Sequence, residues 1–183
     1  ISAGGAVTEC DSPSFQPADK AALETAVNAC IGHESTGDCY ACSDGKIVGT
    51  TDATCTEGAH ISNWDTSLVT DMKSLFKNKN SFDQDLGAWD VSSVTTFASM
   101  FWSADNFNNG GVSSLHNWNT SSATELNHVF TYTKFNHCLC GWDTSKATTM
   151  VAMFYGSEQP FNQDISCWDV SSVTDFGSMF YDN

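Results

Sequence analysis

ISNWDTSLVTDMKSLFKNKNSFDQD, residues 61–85, decides how this chain is read. Its pattern restarts at Trp89, Trp118, Trp142 and Trp168. The interval is about 25 residues, which is the length of a structural repeat. Counted from each Trp, position +1 holds Asp65, Asp90, Asn119, Asp143 and Asp169, and position +3 is always Ser (67, 92, 121, 145, 171). Position +6 is Thr70, Thr95, Thr124, Thr148 and Thr174. Apolar side chains fill +8 and +11, and +12 is Phe76, Phe101, Phe130, Phe154 and Phe180. A second aromatic follows at Phe82, Phe107, Phe135 and Phe161, and an aliphatic residue stands three places before every Trp.

The apolar +8, +11 and +12 positions have helical spacing, and the +6 Thr stands where an N-cap belongs. Each unit is therefore expected to hold a short helix. The aliphatic–x–x–Trp–x–Thr/Val stretch is expected to be a short strand. One unit cannot bury its own Trp and two Phe, so neighbours must do so. The expected fold is α/β: an LRR-like right-handed solenoid of five coils with short parallel strands and short helices, behind a helical, disulfide-bonded N-terminal cap. Residues 1–60 are the cap segment and residues 61–183 the repeats.

Within the cap, residues 17–31 have an apolar face of Ala22, Leu23, Ala26, Val27 and Cys30, which predicts an amphipathic helix stopping at Gly32. Its apolar face is expected to cover the open end of the repeats. Residues 33–60 have loop composition, held by cross-links.

The chain carries 22 acidic residues against seven Lys and Arg, a net charge of −15. Such a surface repels nucleic-acid phosphates and anionic membranes, so neither is expected as a partner. No apolar run is long enough to insert into a bilayer. The sequence opens at Ile1 rather than Met, which fits a removed signal peptide or a trimmed start. Eight cysteines point to an oxidising, extracellular or cell-surface setting. Asn119-Thr120-Ser121 is a glycosylation sequon.

The cysteines are Cys10, Cys30, Cys39, Cys42, Cys55, Cys138, Cys140 and Cys167. The simplest cap pairing is Cys30 with Cys39 and Cys42 with Cys55, leaving Cys10. A zinc site on Cys30, His33, Cys39, Cys42 and Cys55 is the alternative, but it lacks a second close ligand pair. Cys167 lies one unit from Cys138 and Cys140, close enough for one bridge and one spare thiol. The +1 column (Asp65, Asp90, Asn119, Asp143, Asp169) reads two ways. It forms a ladder that would draw in calcium, or each side chain caps the turn that carries the Ser two residues on. The D-x-S spacing favours the cap. The Ser and Thr columns offer a hydroxyl face, although capping accounts for the Thr. The five histidines show no ligand or catalytic spacing, so no enzyme activity and no cofactor are expected.

The unit W-D-V-S-S-V-T-x-[MF]-x-x-M-F followed by F-N-Q-D-[IL] stands almost complete over residues 89–101 and 161–180. It resembles the BspA-like leucine-rich-repeat surface proteins, in the repeat class of mycoplasma surface lipoproteins and microalgal secretomes. The resemblance covers residues 61–183. It implies a leucine-rich-repeat fold and a cell-surface or extracellular location, with adhesion as the role proposed for some members. It supplies no catalytic residues. The sequence departs from the pattern at an insertion over residues 109–114, expected to bulge, and at the three late cysteines. It departs again in the fifth unit, which ends before its second Phe. Two readings of that open unit stand together: head-to-tail stacking of copies, with a Cys10 cross-link, or a longer chain. The expected function is a non-enzymatic structural subunit of a surface or filamentous assembly. The alternative is a monomeric adhesion module binding proteins or glycans.

Overall fold

In a computed structural model, residues 15–42, 46–49, 58–157 and 159–183 are described. Among these residues there is one α-helix, α1 (Lys20–His33), and one small sheet. The strands are β1 (Cys39–Cys42), β2 (Ile47–Gly49) and β3 (Gly58–His60), all antiparallel, in the order β2-β1-β3.

Helix α1, expected over residues 17–31, starts where Asp19 accepts the Ala22 N–H at 2.9 Å as its N-cap and runs to His33. Its buried residues Leu23, Ala26, Val27 and Cys30 share one core with the sheet and with the first Trp. Within residues 33–60, which their composition marked as loop, Cys39–Cys42, Ile47–Gly49 and Gly58–His60 form the three strands. Lys20 pairs with Asp71 at 3.0 Å, and Lys79 donates to Asn28 at 2.8 Å, so polar contacts tie α1 to the first repeat. Phe15 packs edge-on against Trp64, and its carbonyl accepts the Asp65 N–H.

The expected LRR-like solenoid of parallel strands and short helices is not formed. Among the described residues the repeats contain no strand and no α-helix. They carry turns, short 3-10 segments and isolated parallel bridges, Asp71 to Thr96, Thr96 to Glu125, Glu125 to Thr149 and Thr149 to Asp175. The reason lies in the backbone at two recurring positions. At +10, Ser74, Ser99, His128, Ala152 and Ser178 all have φ between 50° and 61°. At +14, Asn78, Ser103, Tyr132, Gly156 and Asp182 are also left-handed. A left-handed residue ends a right-handed helix at once. A strand fails too, because only the +7 residue of each unit makes a parallel bridge.

Backbone N–H groups from +8 to +14 consequently alternate in direction. The even ones cross to the next unit: Met72 donates to the Thr96 carbonyl, Ser74 to Ala98, Phe76 to Met100 and Asn78 to Trp102, at 2.8–3.0 Å. The +9 N–H turns to the +7 side chain, as Lys73 does to Asp71, and the +11 and +13 groups bond three residues back, as Leu75 does to Met72 and Lys77 to Ser74. The cross-unit set recurs from Phe97, from Leu126 and from Met150, and the bonds three residues back recur in the units of Phe97 and Met150. Apolar residues at +8, +11 and +12 thus point inward from consecutive turns rather than from a helix face.

Between these turns the rings pile up. Phe76, Phe101, Phe130, Phe154 and Phe180 stack with neighbouring centroids 5.4–5.8 Å apart. Phe82, Phe107, Phe135 and Phe161 slot beside them at 3.8–4.2 Å. Parallel ring pairs of this kind add about 0.5–1.5 kcal/mol each beyond the area they bury. Inserted residues 109–114 do not bulge freely. The Asn109 side chain is fully buried. It donates to the Val112 carbonyl and to Ser114, and accepts the Leu86 N–H. Asp83 takes the N–H groups of Asn108 and Gly110.

Candidate functional site

Polar side chains of the repeat are directed mainly at its own backbone. Every +1 side chain accepts the N–H of the +3 Ser: Asp65 from Ser67, Asp90 from Ser92, Asn119 from Ser121, Asp143 from Ser145 and Asp169 from Ser171, at 2.9–3.2 Å. The Ser hydroxyls hold the carboxyls of Asp90 and Asp143 below the usual carboxylate range, with the Ser N–H groups adding to this. For Asp164 and Asp169 the Ser N–H is the larger cause and the hydroxyl the smaller. Among the described residues no group of three or more His, Cys, Asp or Glu is placed to hold a metal ion.

The +6 Thr residues are not helix caps, since no helix follows them. Thr95, Thr124, Thr148 and Thr174 each direct both hydroxyl and N–H at the carbonyl of the Thr one unit earlier. At +2, Thr66, Thr120 and Thr144 reach forward instead, to the carbonyls of Asp90, Asp143 and Asp169. Each Trp indole N–H also leaves its own unit. Trp89, Trp118, Trp142 and Trp168 donate to the carbonyls of Ile61, Leu86, Leu115 and Leu139 at 2.8–3.0 Å. The Trp, +2 and +6 columns are therefore joints between neighbours, while the +1 column closes a turn within its own unit.

A family profile described as "Mycoplasma protein of unknown function, DUF285" matches residues 51–114 and 109–183, together more than half of the chain. The chain belongs to the DUF285 family. No curated protein and no solved structure matches it. The two DUF285 matches meet in the insertion over residues 109–114, where Asn109 bonds back to Asp85 and Leu86 at the junction of the first and second repeats.

In this DUF285 chain two disulfides stand among the described residues. Cys30 of α1 is joined to Cys39 of β1, which removes both from any zinc set. Cys140 is joined to Cys167 across neighbouring repeats, with Cα atoms 5.5 Å apart. Adjacent units lie at the separation a disulfide requires. Cys138 is exposed and free, and its sulfur takes the Cys140 N–H at 3.4 Å. Asp85 and Asp164 fill the same place in their own repeats, accepting from Gly87 and Ser166. The Cys42–Cys55 pairing and Cys10 lie outside the described residues. Asn119 of the sequon is exposed. No helix among the described residues is long and apolar enough to cross a membrane.

One feature escaped the column reading. Position +13 carries Lys77, Trp102, Thr131, Tyr155 and Tyr181, with Tyr132 beside it at +14. The structure gathers these aromatics on one flank. Lys77 sits 4.0 Å above the Trp102 ring, and Trp102 stacks on His128 at 4.8 Å. Tyr132 meets Tyr155 edge-on, and Tyr155 stacks on Tyr181, both at 5.4 Å. The signal available in sequence was Trp102, the one Trp that does not begin a repeat.

Proposed function

We propose that this DUF285 protein is a non-enzymatic structural protein of a cell surface or extracellular layer, related to the BspA-like surface proteins. In this reading, copies join head to tail, the N-terminal side of one covering the fifth repeat of the next. The face of the fifth repeat carries the proposal. Phe176 and Phe180 are 42% and 44% exposed there, whereas their counterparts Phe97, Phe101 and Phe130 are fully buried between neighbours. Val170 is also exposed, and together with Met150, Ile165 and Trp168 these residues line an apolar hollow of about 360 Å³. The +8 to +14 backbone keeps its alternation into this repeat, with Ser178 and Asp182 left-handed. The face thus presents what every inner joint uses, and either a further repeat of the same polypeptide or the N-terminal side of a neighbouring copy would cover it. Disulfides persist in oxidising compartments, which supports the extracellular location. A net charge of −15 favours neutral or cationic neighbours over nucleic acid or anionic lipid.

Sedimentation over a concentration series tests the reading on the 183-residue chain and its Phe176→Glu/Phe180→Glu variant. The expected result is concentration-dependent association by the parent chain and a monomer for the variant. A parent chain that stays monomeric throughout overturns the assembly and leaves the adhesion module as the function.

A further inference from the structure

We infer that the aromatic flank over repeats two to five is a binding groove for a neutral polysaccharide. The groove holds about 300 Å³, the lower end of ligand-sized cavities. Its floor is Ala152, which is 4% exposed and occupies the +10 position held by His128 one repeat earlier. The change from imidazole to methyl opens the space. The stacked Trp102 and His128 stand toward the second and third repeats, and Tyr155 and Ser178 toward the fourth and fifth. Tyr132 is 41% exposed with its ring perpendicular to Tyr155, so the two phenols present different faces. Gly156 makes this possible. A Cβ there would meet the Tyr132 ring at 2.3 Å, so only glycine lets the ring lie over the backbone.

Charge selects the class of ligand. The protein has three times as many acids as bases, yet no carboxylate and no ammonium lines the groove. Burial holds His128 below the ordinary histidine range, and Lys77 adds to this. The lining therefore stays uncharged at neutral pH. Lys77, the nearest cation among the described contacts, is already placed over Trp102. An anionic polymer meets repulsion from the whole molecule, and a cationic one finds no counter-charge in the lining. What remains is rings, two phenols, an imidazole and the Ser178 hydroxyl. Apolar walls with a few polar groups suit a molecule with hydroxylated edges and C–H faces. Pyranose sugars have that form.

Affinity electrophoresis in gels containing hydroxyethyl cellulose, mannan or xylan tests the inference, with alginate and polylysine as charged controls. The expected result is retardation by at least one neutral polymer that persists at high salt. Trp102→Ala and Tyr155→Ala should each weaken it tenfold or more while keeping the parent's circular dichroism. A folded Ser178→Glu variant, which places a charge at the rim, gives a second readout and should also bind less. Absence of retardation by every neutral polymer overturns the inference. So does undiminished binding by the folded variants, or retardation by polylysine or alginate alone that salt abolishes.

Discussion

At the scale of single residues, the repeat depends on positions that a column of identities does not mark. Position +10 is filled by Ser, His and Ala, none of which announces a left-handed conformation as glycine does. Their φ values near +55° are maintained by the N–H bonds on either side, which need that alternation to reach the next unit. Gly141 shows the opposite case, a small residue required by contact. A Cβ there would stand 1.8 Å from the His116 carbonyl oxygen of the preceding repeat, a backbone atom that cannot swing away. Gly141→Ala should therefore cost about 3 kcal/mol, the upper range for overpacking a tight site. Thermal or urea unfolding checks this. An unchanged midpoint would show that the two repeats separate freely there. Gly32, with nothing within 4 Å of an added Cβ and no left-handed backbone, is the matching site at which a contact effect should be absent.

At the scale of the repeat unit, which residues are core was legible in the sequence. Trp, the +8, +11 and +12 apolar residues and the second Phe recur, and they are buried in the inner repeats. How the backbone runs between them was not. Spacing of i, i+3, i+4 identifies a set of inward side chains, and a succession of turns satisfies it as well as a helix does. What separates the two is the sign of φ at +10 and +14, and side-chain identity records that only at Gly156 and, faintly, at the Asn and Asp positions. The D-x-S turn was legible because Asp and Ser in that order have a specific local hydrogen bond. Its carboxylates give the unit a pH response. The folded-state values of Asp90, Asp143, Asp164 and Asp169 lie below the ordinary carboxylate value of about 3.9. Their contribution is therefore complete above that pH and is lost as the pH falls through the folded values. The contribution of these four Asp to melting temperature should hold steady from neutral pH to about 5 and then decline as acid is added. It follows an earlier loss that begins near pH 6.5, where burial disfavours protonation of His128 in the folded state. A combined replacement of these four Asp by Ala should flatten the decline. A melting temperature that rises on acidification would contradict the turn assignment.

At the scale of the whole molecule, the two ends are built differently. The N-terminal side joins α1, a three-stranded sheet and the Cys30–Cys39 disulfide to the first Trp in one core. The far side has an exposed aromatic face, and Cys140–Cys167 ties its last two repeats together. Sequence spacing paired Cys30 with Cys39 and placed Cys167 one unit from Cys138 and Cys140; that Cys140 rather than Cys138 makes the bridge depends on the height at which each sulfur lies. Stacked units contribute mainly through their nearest neighbours, so stability should be graded along the chain rather than uniform. The disulfide closes a loop with a sequence separation of 27, and restricting such a loop in the unfolded chain is worth about 3.5 kcal/mol. Replacing both cysteines by Ser should remove that amount from the fourth and fifth repeats. Hydrogen exchange resolves where the loss falls. The amides of Met150, Ala152, Phe154 and Gly156 donate to the fifth repeat, and their protection should drop by roughly two orders of magnitude, the factor equivalent to that energy being an upper bound. Those of Met72, Ser74 and Phe76 donate to the second repeat, far from the bridge, and should keep theirs. Equal loss of protection at both sets would mean that the repeats unfold as one unit and that the far end is no weaker than the capped one.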